Sequence, residues 1–346
     1  MRKPTHILLV LAVLLLGSIV ASCALGAVKV HPTEFVSILL NKFGWSDYNS
    51  FSAQQEAVIW VIRLPRVITS VLSGALLALS GVAIQGLFRN PLADPGIIGI
   101  SSGAAMVASI AIVISGTFSF LQGTFAGISF LVIAAFAGSL LSAAGVFRIA
   151  REKTKTNVST MLLAGIAINA IAGAVTGILI YISNEQQLRD LTFWTLGSLG
   201  GSTWTNAGIL LVLLVVTYLV FFRLSKALNA FSLGEQEAQH IGISIESAKN
   251  RIIIFSSIAV GATVAFNGII GFVGLVVPHI LRITGSYNHR FLIPAAALGG
   301  GLLLSLSDLA ARTLVAPAEI PVGIITALAG APVFLFILLQ QKHTFR

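Results

Sequence analysis

Few residues in this chain could carry chemistry, and their settings narrow what it would be. Gly99-Ile-Ser-Ser-Gly103 matches the G-x-S-x-G pattern of an exposed serine nucleophile. With Ser101 as nucleophile and His279, the one deep histidine candidate, as base, it would make an intramembrane serine protease. The strand-turn-helix setting of that motif is missing, which favours small residues packing between helices. His279 and Arg282 stand one turn apart in Val277-Pro-His-Ile-Leu-Arg282, with no second histidine at helical spacing to complete a ligand set. They are expected to be a structural pair, with no metal or haem site. No G-x-x-x-x-G-K-[ST] occurs, so the chain is expected to bind no nucleotide by that route.

Three other polar groups stand out. Arg63 and Arg66 are three apart at the outer end of one span, with Arg312 at the outer end of another. Such arginines commonly snorkel to headgroups, but guanidiniums also pair with carboxylates in bidentate geometry, so these could receive an external partner; spacing does not choose. Gly165, Asn169, Gly173 and Gly177 recur every four residues along one helix face. They suit either a close helix contact or a smooth, mildly polar wall of a pathway, and a pathway between two subunits would satisfy both. The third group is a polar island, Leu228 to Glu246, between two apolar spans. It holds Glu235, Glu237 and Glu246, three of only twelve acidic residues. More polar chain than a turn requires suggests a short helix docking on a partner. Gly234 suits a break before that helix, Glu235 and Glu237 its N-terminus, and Gly242 its end.

The elements that position these groups are set by composition. Hydrophobic residues make up 56% of 346 and charged residues 10%. A soluble globular chain cannot sustain this, so the chain is an integral membrane protein. Apolar runs of about 20 residues recur without strand-like alternation, which implies an all-α polytopic bundle and excludes a membrane barrel. Spans are predicted at Ile7 to Val28, Arg63 to Arg89, Gly99 to Ser115, Phe125 to Ile149 and Val158 to Ser183, with a polar connection from Asn184 to Asp190. Trp194 to Phe222, Ile252 to Ile270, a short Gly271 to Ile283, Phe291 to Arg312 and Pro321 to Gln340 bring the total to about ten, in a single domain over 1–346. Val20-Ala21-Ser22-Cys23 also resembles a lipoprotein cleavage box, but the apolar run is longer than a signal core and a polytopic chain follows. Cys23, as the single cysteine, excludes an internal disulfide.

The net charge of +9 sits at span ends and not on one face, so a nucleic-acid partner is not expected. With both termini inside, fifteen of the 21 lysines and arginines are cytoplasmic. Lys29, Lys42, Arg63, Arg66, Arg189 and Arg312 are left outside, the asymmetry the positive-inside rule predicts. This assigns the island to the cytoplasm. No carboxylate lies near the middle of any span, since Asp308 and Glu319 lie towards the outer face, and this counts against an ion-coupled secondary carrier. If the job is transport, another subunit is expected to supply the energy.

Several stretches together resemble one family. They are Arg63-Leu-Pro-Arg66, Gln85-Gly-Leu-Phe-Arg-Asn-Pro-Leu-Ala-Asp-Pro-Gly96, Phe193-Trp-Thr-Leu-Gly-Ser198, Leu233-Gly-Glu-Gln-Glu-Ala238, Gly271-Phe-Val-Gly-Leu-Val-Val-Pro-His279, Asp308-Leu-Ala-Ala-Arg312 and Glu319-Ile-Pro-Val-Gly323. In order over nearly the whole chain, they are similar to the FecCD-type permease subunits of ABC importers for iron-siderophore, haem and cobalamin. The resemblance implies a type II importer permease of ten helices in the bacterial inner membrane that moves a metal chelate inward by alternating access, with an iron-siderophore the first expected cargo and haem or cobalamin next, and that pairs with a second permease, most simply a copy of itself. Two cytoplasmic ATPase subunits, which carry the ATP and magnesium, and an external binding protein complete the assembly. By the same resemblance, Arg63, Arg66 and Arg312 receive glutamates of the binding protein. Ser232, Leu233, Gly234, Glu235, Gln236, Glu237, Ala238, Gln239, His240 and Gly242 form the coupling helix seated on the ATPase. Asn90 and Leu92, with Ser159 and Thr160, lie where the family closes its cytoplasmic gate. The segment from Lys29 to Glu56 departs from the family pattern.

Overall fold

The computed structural model describes residues 4–26, 30–42, 44, 51–117, 125–152 and 155–344. Lys29 and Asp47 of the departing segment, and Arg2, Lys3, Lys153 and Arg346 of the charge count, lie outside them. The chain opens with α1 (Pro4–Ala24) and α2 (Pro32–Lys42). A helical turn, α3 (Ala53–Ala57), passes through a π-helical segment, Val58–Arg63, into α4 (Leu64–Phe88), so that one rod runs over Ala53–Phe88. A 3-10 turn over Pro95–Ile98 leads to α5 (Ile100–Thr117) and α6 (Phe125–Ala150). Two short antiparallel strands, β1 (Arg151–Glu152) and β2 (Lys155–Thr156), then turn the chain into α7 (Val158–Ile182), with Arg151 opposite Thr156. α8 (Glu185–Leu196), α9 (Trp204–Arg223), α10 (Ser225–Phe231), α11 (Glu235–His240), α12 (Ile245–Asn267), α13 (Val273–Thr284), α14 (His289–Thr313) and α15 (Val322–Thr344) follow.

Seven of the described helices are long and apolar enough to cross a membrane, and α5, α13 and α15 are shorter apolar helices. The expected bundle of about ten apolar spans is therefore the fold. α13, at 12 residues, rises only about 18 Å and reaches partway through a hydrocarbon core.

The bundle is organised around α4, of which 21 of 25 residues are buried. It packs on α14, α12, α9 and α13, while α5 pairs with α6 and α7 lies against that pair. Small residues make the closest approaches possible. A Cβ at Gly74 would lie 2.1 Å from the Gly300 carbonyl oxygen on α14, and one at Gly81 would lie 1.9 Å from that of Gly274 on α13. α7 differs sharply, burying only Met161, Ala164, Gly165 and Ala172.

Four predicted boundaries are corrected. The second span starts at Ala53 and not near Arg63, because Ser52 and Gln55 form a capping box that starts the helix in a polar stretch. The polar connection from Asn184 to Asp190 is helical, since Asn184 and Gln187 cap α8 in the same way. The sixth span starts at Trp204 rather than Trp194, which ends in α8 before Gly197 (φ +74°). The island is two short helices, not one, and its last residues already belong to α12.

Candidate docking and gating sites

Polar connections gather at the two ends of the α4 rod, about 30 Å apart from Arg66 to Gln85 at 1.5 Å per residue. At the end predicted to face outward, α4 and α14 bring all three predicted arginines together. Arg66 donates from Nε to Asp308 Oδ1 at 2.9 Å, and its Nη1 reaches both Glu319 oxygens at 3.0 and 2.9 Å. Asp308 also pairs with Arg312 Nε at 3.2 Å. The side chain of Asp308 is 1% exposed and that of Glu319 48%, so one carboxylate is an interior bridge and the other a rim group.

Further guanidinium contacts fall on the last turn of α1, whose carbonyls have no intrahelical donors and sit at the negative end of the helix dipole. Arg63 Nη1 donates to Cys23 O at 2.7 Å and Ala24 O at 3.1 Å, and Arg312 Nη2 to Ser22 O at 2.9 Å. Arg63 and Arg66 are buried in the protein and the Arg312 side chain is 8% exposed, so they are held inside and not snorkelled to headgroups. They border an open cavity of about 200 Å³ with Gly26, Ile62, Pro317 and Glu319. Among the described residues, three guanidiniums, Arg63, Arg66 and Arg312, and two carboxylates, Asp308 and Glu319, gather there.

The segment from Lys29 to Glu56 covers this end in its described part. Val30, Phe35 and Ile38 pack on Cys23, Ile59, Leu64 and Val67. Lys42 pairs with Glu56 at 3.2 Å and lies 5.5 Å from the Trp60 ring centroid. Trp204 Nε1 donates to Trp60 O at 2.9 Å, an aromatic pair of the kind that marks a membrane interface.

At the opposite end, α10 is anchored by buried Leu228, Ala230 and Phe231. Gly234 (φ +123°) and Gly242 (φ +83°) flank α11 in backbone regions that favour glycine, as the sequence anticipated. Ala238 is buried, whereas Ser232, Leu233, Gln236, Glu237, Gln239, His240 and Ile241 are exposed. Two of these, Leu233 at 69% and Ile241 at 63%, are large apolar side chains in an otherwise polar patch. Glu235 turns the other way, to Lys249 Nζ at 2.8 Å.

Beside α11, the turn after α4 and the start of α7 border one groove of about 340 Å³, lined by Arg89, Thr156, Asn157, Ser159, Glu235 and Lys249. Asn90 Oδ1 accepts the Leu92 N–H at 2.9 Å, fixing that turn, and Asn157 Oδ1 caps α7 by accepting the N–H groups of Ser159 and Thr160 at 3.0 and 3.2 Å. The turn holding Asn90 and Leu92 and the start of α7 holding Ser159 and Thr160 are thus neighbours. Sequence reasoning missed Thr156 and Lys249, both buried here. The i,i+3 spacing of Glu246 and Lys249 was the only signal that could have pointed to them.

On α7 the four-residue repeat splits in two. Gly165 is a packing contact, because a Cβ there would lie 2.0 Å from Ile97 O. Asn169 donates to Gly96 O at 3.4 Å and keeps Oδ1 buried without a partner. Gly173 and Gly177 are exposed, with nothing within 4 Å of a Cβ. The G-x-S-x-G stretch is also a packing element: Gly99 (φ +81°) closes the 3-10 turn, its carbonyl accepts from Ser142 Oγ at 2.7 Å, and a Cβ on Gly103 would lie 2.3 Å from Ser142 Cβ.

The chain is similar to known proteins along most of its length. The profile of the FecCD transport family matches residues 13–340. The hemin transport system permease protein HmuU of Yersinia pestis is 46% identical over 286 residues, 82% of this chain and 84% of that protein. The vitamin B12 import system permease protein BtuC of Citrobacter koseri is 38% identical over 342 residues, 99% and 96% of the two chains. A solved structure described as an inward-facing, metal-chelate type ABC transporter superposes with a TM-score of 0.82 at 32% identity, covering 97% of this chain and 99% of that one. With a profile running nearly end to end and relatives this similar over most of their own length, the chain belongs to the FecCD transport family.

Proposed function

We propose that this protein is the membrane-spanning permease subunit of an ATP-driven importer that moves a metal chelate into the cytoplasm across a bacterial inner membrane by alternating access. ATP is hydrolysed by two separate cytoplasmic subunits seated on the polar island, an external binding protein delivers the cargo, and two permease copies enclose the pathway. The observation that carries this reading is the pairing of an arginine cluster at one end of α4 with an exposed α11, flanked by exposed Leu233 and Ile241, beside the α7 start at the other. The exposed face of α7, with open Gly173 and Gly177, supports its place at the centre of a dimer. Asp308 sits between two guanidiniums near the end of α14 and not at its middle, which favours ATP over an ion gradient. Relatives named for hemin and vitamin B12 support a metal macrocycle ahead of an iron-siderophore as cargo.

The test is reconstitution in liposomes with the ATPase and binding protein, measuring uptake of hemin, cobalamin and a ferric siderophore. ATP-dependent uptake of one of them is expected, and none would remove the importer reading. In the same system, Leu233→Asp together with Ile241→Asp is expected to lower ATPase affinity at least tenfold, since each buries an unpaired charge in a contact that now buries an apolar side chain. Unchanged assembly would move the ATPase seat off α11.

A second outcome concerns docking. Glu319 occupies Arg66 Nη1 with both oxygens while half exposed, so a carboxylate from the binding protein competes with it. Glu319→Gln is expected to tighten the binding protein about threefold to fivefold at low salt, the scale of one exposed ion pair. Equal or weaker binding would take the arginine cluster out of the docking surface.

A further inference from the structure

We propose that Lys249 and Glu246, at the base of α12, are positioning residues that clamp α11 to the start of α7, so that displacement of the coupling helix is delivered at Ser159 and Thr160. The inference rests on the importer reading and adds the residues that transmit its motion.

The contacts form an unbroken series. Lys249 has a side chain 3% exposed and carries three N–H donors. Its Nζ lies 2.8 Å from Glu235 Oε2 on α11, 3.1 Å from the Thr156 carbonyl oxygen, and 3.5 Å from Glu246 Oε1. Glu246 uses its other oxygen on the same threonine, accepting from Thr156 N at 3.1 Å and Thr156 Oγ1 at 2.9 Å. The backbone N–H, backbone carbonyl and hydroxyl of Thr156 are thus all held by two side chains of α12. The next residue, Asn157, caps α7 through Ser159 and Thr160, and its own N–H donates to Ala150 O at 2.9 Å. From Glu235 to the gate residues each link is a direct hydrogen bond or one peptide unit.

A buried ammonium is a poor choice for stability alone, because well-packed apolar residues of similar volume hold such a site equally well. What the charges add is direction and register. α11 is flanked by Gly234 and Gly242, both at positive φ, and only Ala238 of its own residues is buried, so the helix has permissive joints and a small apolar anchor. The Glu235–Lys249 pair is the polar tie that keeps it in step with Thr156. A coupling pathway of this kind needs an element with two arrangements that both ends bias, and that role falls to the first turn of α7, which follows a two-stranded turn and carries exposed Ser159 ahead of the buried Met161.

The test uses the whole complex of permease, ATPase and binding protein. The double substitution Lys249→Met with Glu246→Gln removes both charges of α12 and leaves Glu235, whose side chain is 39% exposed, facing the groove. Thr156→Val removes only the hydroxyl bond, and Lys249→Arg keeps the cation. Three quantities are read: assembly and thermal unfolding, cargo moved per ATP hydrolysed, and the ATP-dependent change in cross-linking between Thr160→Cys positions of the two copies. The double variant is expected to assemble and hydrolyse ATP, but to move at least tenfold less cargo per ATP and to lose the ATP-dependent change in cross-linking. Thr156→Val is expected to show a smaller loss of the same kind, and Lys249→Arg to restore most of the coupling. Unchanged cargo per ATP in the double variant, or an unchanged cross-linking response, overturns the clamp. If the double variant fails to assemble, Thr156→Val decides by the same two readouts. If the unsubstituted complex moves no cargo, the importer reading falls and the cross-linking response alone decides the clamp.

Discussion

Asp308→Ala is expected to destabilise the arginine-bearing end of the bundle by about 3–5 kcal/mol, the usual penalty for removing one partner of a buried ion pair. Asp308 faces Arg66 on one side and Arg312 on the other, and all three side chains are less than one-tenth exposed. Its loss leaves two guanidiniums facing each other in a low-dielectric setting, with Glu319 on Arg66 as the remaining carboxylate. Glu319→Ala, at a half-exposed position, is expected to cost no more than about 1 kcal/mol. The single cysteine reports the difference. Cys23 is fully buried on the last turn of α1, where its carbonyl oxygen accepts from Arg63, so opening of this end exposes its thiol. Thermal scans read by maleimide labelling should show Asp308→Ala reacting at clearly lower temperature than Glu319→Ala. Adding Arg312→Met to Asp308→Ala should recover part of the loss, because the second cation is then absent. Equal labelling midpoints for the two single variants would show that Asp308 is not the bridge.

The same geometry changes how the arginines are best probed. Reversing Arg66 to glutamate would place three carboxylates side by side and test folding more than docking. Glu319→Gln leaves the interior pair intact and is the cleaner probe of the surface.

What was legible in the sequence follows from physical range. Apolar runs and the scarcity of charge located ten helices, because crossing a hydrocarbon layer is a property of a local window. The segregation of lysines and arginines separated the two polar ends for the same reason. Gly234 and Gly242 marked the bounds of α11, since positive φ is a one-residue property. Helices lying outside the apolar layer were missed: Ser52 with Gln55, and Asn184 with Gln187, are capping pairs visible in the sequence, but their polar surroundings read as loop. Contacts between distant residues were not legible at all. Arg66 and Asp308 are 242 positions apart, Lys249 and Thr156 are 93 apart, and only the packing of α4 on α14 and of α12 beside the α7 start brings them together. The family resemblance supplied roles for Arg66 and Glu235 without revealing that both are already paired inside the protein.

Glycine substitutions should separate the packing seam from the exposed face of α7. Gly81→Ala would place a methyl 1.9 Å from the Gly274 carbonyl oxygen and 2.6 Å from its carbon. Both obstacles are backbone, so no side chain can swing aside and α4 must part from α13. Gly74 repeats the arrangement two turns earlier against Gly300 of α14, which makes the strip a shared contact of the central helix with two neighbours. Overpacking of this kind costs about 1–3 kcal/mol and more where the obstacle is rigid, so Gly81→Ala is expected to lie at or above the top of that range. Gly173→Ala meets nothing within 4 Å, and exchanging glycine for alanine inside a helix favours folding by up to about 1 kcal/mol. The single chain should therefore unfold at the same or a higher temperature with Gly173→Ala and at a markedly lower one with Gly81→Ala. If the exposed α7 face closes on a second copy, Gly173→Ala should instead weaken dimerisation, read as the mass of the detergent-solubilised particle at falling protein concentration. A Gly81→Ala protein as heat-stable as Gly173→Ala would mean that the seam yields where its backbone contacts leave no room to yield.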